Sequence, residues 1–134
     1  MGINVSLVVY KCNSMEYIIV DTSSIMFGLS RKIDVFESIN MQLGFRPVLS
    51  KGILRELRSL SKINGKYKKY AATALALVSR HKPLIESDNG FVDSWILTDS
   101  ARYQNVCTND MKLKRDLRAK GISVYSISVG GSLK

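Results

Sequence analysis

Four acidic residues fall where the chain passes from one predicted element to the next. Asp21 ends the apolar run "YIIV", and Asp110 follows the apolar run "NVC" after two polar residues. Glu56 borders the apolar stripe of one predicted helix, and Asp93 lies on the predicted inward face of another. Because the carboxyl ends of parallel strands meet at one edge of a sheet, we expect these carboxylates to lie close together.

Carboxylates that are gathered in one place repel each other and lose hydration unless a cation neutralises them. Mg²⁺ or Mn²⁺ suits a site whose donors are only carboxylate and water oxygens. Such a cation can orient and acidify a water, shield a phosphate and stabilise a leaving oxygen. The sequence therefore predicts metal-dependent phosphodiester hydrolysis.

Each acid also has a structural explanation. Asp21, Asp93 and Asp110 stand where helix N-caps are common, with Asn109 competing for the last position, and Glu56 could pair with a basic residue at the rim. Only their coincidence at one edge favours a functional site. The predicted helix that carries Asp93 also carries Asp99.

Helical phase separates these two aspartates. It places Asp93 with Ile96 on the inward face and Asp99 beside Trp95 on the outward face. We therefore expect Asp99 to be solvated and to have no part in the site.

The composition indicates a single globular domain with a polyanionic partner. The chain has 134 residues, of which 46% are hydrophobic, and 20 Lys and Arg against 11 acids give a formal charge of +9. Nucleic acid is the leading partner class. No apolar run is long enough for a membrane helix, so no membrane is expected. Cys12, Cys107 and His81 form no metal motif, and plain packing cysteines indicate a reducing, cytoplasmic location.

The two ends of the chain lie outside the predicted domain of residues 15–129. Residues 1–14 carry no secretory pattern and are either an N-terminal extension or an extra edge strand; Met15 could equally be the functional start. Residues 130–134 are predicted to form a frayed C-terminal tail.

Predicted strands alternate with predicted helices along the domain. The periodicity of Ile33, Phe36, Ile39 and Leu43 predicts an amphipathic helix that ends at Gly44. The alternation predicts an α/β three-layer sandwich around a mostly parallel sheet. The predicted strands are 17–20, 46–50, 82–87, 104–108 and 122–127, and the later helices are 51–62, 66–81, 92–101 and 109–121.

With these residues in place, the sequence resembles the PIN-domain nucleases, and within them the archaeal and eukaryotic branch linked to ribosomal RNA processing. The likeness covers roughly residues 16–128. Its motifs are "IIVDTSSIM" with Asp21, Thr22 and Ser23; "LSKGILRELRSLSK" with Glu56; "GKYKKYAATALALV"; "VDSWIL" with Asp93; and "CTNDMKLKRDLRAKGISVYSI" with Asp110.

The resemblance implies a PIN-like fold with a central sheet of about five parallel strands, an Mg²⁺ or Mn²⁺ cofactor, and endonucleolytic cleavage of single-stranded RNA or pre-rRNA by activated water. Ribosomal precursor particles are candidate partners, and a second copy of the chain in a homodimer is another candidate. Many relatives carry two adjacent acids where this chain has Asp93 and Ser94, which lowers the acid count at a second metal position. The resemblance implies that Asp21, Asp93 and Asp110 bind the metal and that Glu56 positions the metal or the attacking water. The implied supporting residues around these carboxylates are Thr22, Ser23, Thr108 and Asn109.

Two basic helices are candidates for RNA contacts. Lys66, Lys68 and Lys69 alternate with tyrosines at the start of one helix, a pattern that suits phosphates and stacked bases but also an ordinary solvated helix start. The second group is favoured because its helix begins at Asp110. It comprises Lys112, Lys114, Arg115 and Arg118.

Three other functions compete with RNA processing. A toxin ribonuclease of a toxin–antitoxin pair shares the acids, and a non-catalytic RNA-binding assembly module shares the fold. A phosphoacceptor signalling domain needs an Asp after its third strand and a Lys after its fifth, which "PLIES" and "YSIS" do not supply in the right place. The first two therefore remain the alternatives.

Overall fold

Five parallel strands form the centre of the molecule in the computed structural model, which describes residues 15–134. The strand order is β3-β2-β1-β4-β5. Ile18 and Ile19 of the central strand are fully buried, which explains its unbroken apolar run. The strands are β1 (Tyr17–Val20), β2 (Arg46–Ser50), β3 (Leu84–Glu86), β4 (Asn105–Cys107) and β5 (Ser123–Tyr125). Whether residues 1–14 add an edge strand lies outside the described residues.

Helices connect successive strands and cover the sheet, which confirms the predicted α/β sandwich. α1, α3 and α4 pack against one another, and α5 packs on both β1 and α6. None of the described helices has the length and apolar character needed to span a membrane. The helices are α1 (Thr22–Ser30), α2 (Val35–Gln42), α3 (Lys51–Lys62), α4 (Lys66–His81), α5 (Val92–Tyr103) and α6 (Met111–Ala119).

The region before β2 holds two helices where one was predicted. The break follows Ser30, where Lys32 adopts a positive φ of 60°. Asp34 then caps α2 by accepting hydrogen bonds from the Phe36 and Glu37 amides. A local cap therefore overrides a periodicity that runs across the break. The predicted stop at Gly44 is confirmed, since its φ is 69° and its N–H donates to Ile39.

Trp95 is buried, at 7% exposure, and the prediction that it lies on the outward face of α5 is wrong. α5 packs against β1 and β4 of the sheet and also against α6, and Trp95 belongs to the hydrophobic core together with Ile96. Asp99, on the same side as Trp95, is only partly exposed. A single inward stripe is thus a poor description of this helix.

The C-terminal residues are tied to the domain, so the prediction of a frayed tail is wrong. Ile127 and Leu133 form an antiparallel bridge. The Gln42 side chain donates from Nε2 to the Gly131 carbonyl at 2.8 Å and accepts from the Leu133 amide at 2.9 Å. These bonds fasten the segment after β5 to the end of α2.

Candidate active site

The four predicted acids line one pocket at the carboxyl edge of the sheet. Asp21 follows β1, Glu56 comes from α3, Asp93 from α5, and Asp110 precedes α6. The pocket has a volume of about 420 Å³. Its remaining walls are formed by Thr22, Ser23, Met26, Leu60, Tyr67 and Val92.

Asp21 is the buried acid of this pocket, at 7% exposure. Its Oδ2 accepts hydrogen bonds from the Ser23 hydroxyl at 2.7 Å and the Thr108 hydroxyl at 2.8 Å. Although Asp21 occupies the N-cap position of α1, its side chain makes no capping hydrogen bond. The capping explanation is therefore wrong for this residue, and only neutral donors among the described residues hold its carboxylate.

Asp110 caps a helix and also lines the pocket. Its Oδ1 caps α6 by accepting from the Lys112 amide at 3.0 Å and the Leu113 amide at 3.2 Å. The same side chain lines the pocket and is exposed. Both capping bonds fall on Oδ1, and Oδ2 accepts no hydrogen bond from the described residues.

Glu56 and Asp93 lie on the pocket walls, and both are exposed rather than turned into the core. Asp93 is not a cap, because the N-cap residue of α5 is Phe91. Partial burial and then the charge of Asp21 raise the pKa of both carboxyls. Asp110 raises the pKa of Asp93 further, while the nearby Lys112 lowers it. The acids thus affect one another through the pocket.

The acids share a pocket but do not form a closed cage. Within residues 15–134, no three His, Cys, Asp or Glu side chains stand close enough together to hold a metal ion directly. Mutual repulsion keeps unneutralised carboxylates apart. The donor set contains oxygen and neither nitrogen nor sulfur, which fits Mg²⁺ or Mn²⁺ bound by a few carboxylates and several waters.

Hydroxyl and amide side chains connect the strand ends behind these acids. Ser23 accepts from the Asn109 amide at 3.0 Å while it donates to Asp21. Asn109 Oδ1 accepts from the Ser24 hydroxyl at 2.7 Å and the Ile127 amide at 3.1 Å. Asn109 therefore fastens the segment after β5 and does not compete with Asp110 as a cap. Ser24 has no motif of its own, and the sequence reasoning missed it.

Thr22 is a wall residue of a different kind. Its hydroxyl oxygen is buried and has no hydrogen-bond partner by geometry among the described residues. It lies near enough to Glu56 to lower the pKa of that carboxyl, an effect smaller than the opposing burial and Asp21 charge.

The basic residues predicted to contact RNA are divided between two helices. On α6, Lys112 is close enough to influence Asp93, Lys114 is partly buried, and Arg115 and Arg118 are exposed. On α4, Lys66 lies over the Tyr67 ring at 5.0 Å, and Lys68 contacts Asn64 at 3.5 Å. Lys69 is exposed and lines a second cleft, described below.

A further carboxylate, Asp88, was not predicted. Its side chain has no solvent exposure. The carboxylate accepts hydrogen bonds from the Gly52 amide at 2.8 Å, the Gly90 amide at 2.8 Å and the Arg55 guanidinium at 3.3 Å. It joins the start of α3 to the loop before α5, the two helices that carry Glu56 and Asp93. A Cβ at Gly52 would collide with the Asp88 carboxylate, so this contact requires glycine.

Comparison with known proteins identifies the class of this fold and site. A family model described as "PIN like domain" matches residues 18–128, and the chain belongs to that family. Its fold is similar to the solved structure of the PIN domain endonuclease Utp24, with a TM-score of 0.70 and 26% identity over 88% of this chain and 90% of that one. It is also similar to a domain of a functionally unknown protein from Methanocaldococcus jannaschii DSM 2661, with a TM-score of 0.59 and 16% identity over 84% and 91% of the two chains. No curated protein matches the sequence.

These findings confirm the resemblance to PIN-domain nucleases and the PIN-like fold, and they support a nuclease function in general.

Proposed function

We propose that this protein is an Mg²⁺- or Mn²⁺-dependent endoribonuclease. The observation that carries the proposal is the set of four carboxylates on one pocket of a PIN-like domain, in a chain whose formal charge is +9. Such a protein attracts a polyanion while its pocket attracts a cation. RNA as the substrate, and ribosomal RNA maturation as the setting, rest on the sequence motifs.

In this proposal Asp21, Asp93 and Asp110 hold the cation, in part through its bound waters, and Glu56 positions the cation or the attacking water. A bound cation supplies an acidified water and stabilises the leaving oxygen. Ser23 and Thr108 fix Asp21 Oδ2, which leaves Oδ1 without a hydrogen bond from any described residue. The bonds from α6 likewise fall on one oxygen of Asp110.

The direct test uses labelled single-stranded RNA with the purified protein, with Mg²⁺, with Mn²⁺ and with a chelator. We expect internal cleavage with either metal and none with the chelator. Equal cleavage in all three would contradict metal dependence. RNA binding without cleavage would favour the non-catalytic assembly module, and RNA crosslinked in the cell would distinguish rRNA maturation from a toxin ribonuclease.

A further inference from the structure

A second cleft lies beside the acidic pocket, between the end of α1 and the first turns of α4. It has a volume of about 360 Å³. Its polar lining consists of Ser30, Lys32, Lys66, Lys69, Tyr70 and Thr73, and we call it the lysine cleft. Lys32 belongs to the break between α1 and α2, and it carried no signal in the sequence.

The lysine cleft concentrates positive charge without an internal counterion. No carboxylate lines it, and none of its three lysines belongs to an ion pair within residues 15–134. Its Ser30 and Thr73 hydroxyls donate to the backbone carbonyls of Phe27 and Lys69 and carry no charge. Like charges held in one cleft repel, and an anion relieves that repulsion.

The cleft and the acidic pocket share two helices. Met26 lines the pocket and Leu29 lines the cleft, which places the two sites three residues, or about 4.5 Å of helix rise, apart along α1. On α4, Tyr67 lines the pocket, and the adjacent Lys66 lines the cleft and covers the Tyr67 ring. A single strand can therefore continue from one site into the other.

We propose that the lysine cleft binds a backbone phosphate of the RNA strand next to the cleaved one, with Tyr67 placed between the two sites to stack on a base. This inference rests on the proposed function and assigns the path of the strand. It places one phosphate-binding subsite between α1 and α4, separate from any phosphate contacts made by α6.

The test pairs Lys66→Gln/Lys69→Gln with the control Arg80→Gln/Lys82→Gln, which removes two charges from the other end of α4. Binding of a short single-stranded RNA is measured by fluorescence anisotropy in a chelator, so that metal-dependent cleavage does not interfere. We expect the cleft variant to bind roughly 3- to 10-fold more weakly than the control. Its plot of log affinity against log salt should be flatter by about 0.7 for each phosphate that the variant no longer neutralises.

A series of RNAs, each with one uncharged methylphosphonate linkage, identifies the phosphate. In the wild type, one position beside the cleaved bond should weaken binding, and in the cleft variant that position should have little further effect. Equal losses at every position in both proteins would overturn the subsite, even if the wild type cleaves RNA. If the wild type binds inorganic phosphate or a mononucleotide at the cleft but no RNA, the cleft is a small-anion site and the inference is wrong. The cleavage assay tests the proposed function independently: if that function is wrong, the wild type shows no metal-dependent cleavage, whatever the methylphosphonate series shows.

Discussion

Asp88 and the pocket acids are carboxylates placed just beyond strands or on the helices that follow them, yet their surroundings differ. The Asp88 side chain is fully enclosed, and its pKa is lowered by the neighbouring Ser50 hydroxyl and then, against the opposing effect of burial, by the Gly90 and Gly52 amides and Arg55. Glu56 and Asp93 are more exposed, yet their pKa values are raised by partial burial and by Asp21. Burial alone therefore does not distinguish the two kinds of acid.

The difference lies in where the compensating charge comes from. The fold supplies backbone donors and a guanidinium to Asp88, whose negative charge is satisfied within the protein. None of the pocket acids forms an ion pair with a Lys, Arg or His within residues 15–134, and in the proposed function a cation from outside neutralises their charge. The lowered pKa of Asp88 and the raised pKa values of Glu56 and Asp93 reflect this difference in compensation.

The largest expected effect comes from Asp21, the acid whose charge raises the pKa of both Glu56 and Asp93. Asp21→Asn keeps the shape of the side chain but removes its charge from the proposed cation site, so RNA cleavage should fall by at least ~100-fold, a loss that even a residue outside the metal's direct ligands can cause. Cleavage rates under single-turnover conditions measure this loss. Asp99→Asn on α5 is the control and should cleave like the wild type; an active Asp21→Asn protein would remove Asp21 from the site.

Asp88 should matter for stability instead. Asp88→Ala leaves the buried Gly52 amide without its acceptor, which should cost about 1–3 kcal/mol in the free energy of unfolding. Urea denaturation at neutral pH measures the loss. The folded pKa is lowered, so the wild-type contribution is present above the ordinary Asp value and is lost as pH falls through the folded value.

The difference between wild type and Asp88→Ala should therefore shrink in acid. A difference that stays constant down to pH 2 would show that packing, and not the carboxylate, is responsible.

The smallest effect should have the opposite sign. Because the folded pKa of Asp93 is raised, its ionised form destabilises the metal-free protein as pH rises above the ordinary Asp value. Asp93→Asn should then stabilise the metal-free protein at neutral pH, by well under ~1 kcal/mol since the group is largely solvated. Thermal melting at pH 7 and pH 3 tests this, and the gain should vanish at the lower pH. A destabilised Asp93→Asn protein at pH 7 would place Asp93 with Asp88 as a structural acid.

The strands and the four pocket acids were predictable because each depends on a short local pattern. An apolar run that ends in Asp21 or precedes Asp110 reports both the strand and its carboxyl end. The break after Ser30 was not predictable from periodicity, since Ile33 continues the apolar spacing across it. Asp34, a residue type common at helix N-caps, was the signal in the sequence that a second helix begins there.

Other features depend on which elements meet, which no local pattern encodes. Trp95 is part of the buried core, which the phase of its own helix did not indicate. Asp88 sits in a turn-like "SDNG" segment, and only the folded chain shows that it reaches the Gly52 amide, 36 residues away. Lys32 joins Lys66 and Lys69 only because α1 ends beside the start of α4.

The most direct test of the external-cation account is Mn²⁺ binding, followed by the electron paramagnetic resonance signal of free Mn²⁺, with RNA cleavage measured in the same samples. Wild type, Asp93→Asn and Asp99→Asn are compared, because both aspartates lie on α5 and only Asp93 lines the pocket. Wild type and Asp99→Asn should bind Mn²⁺ and cleave RNA, whereas Asp93→Asn should lose both properties while remaining folded. Equal Mn²⁺ binding and equal cleavage by the two variants would contradict the account.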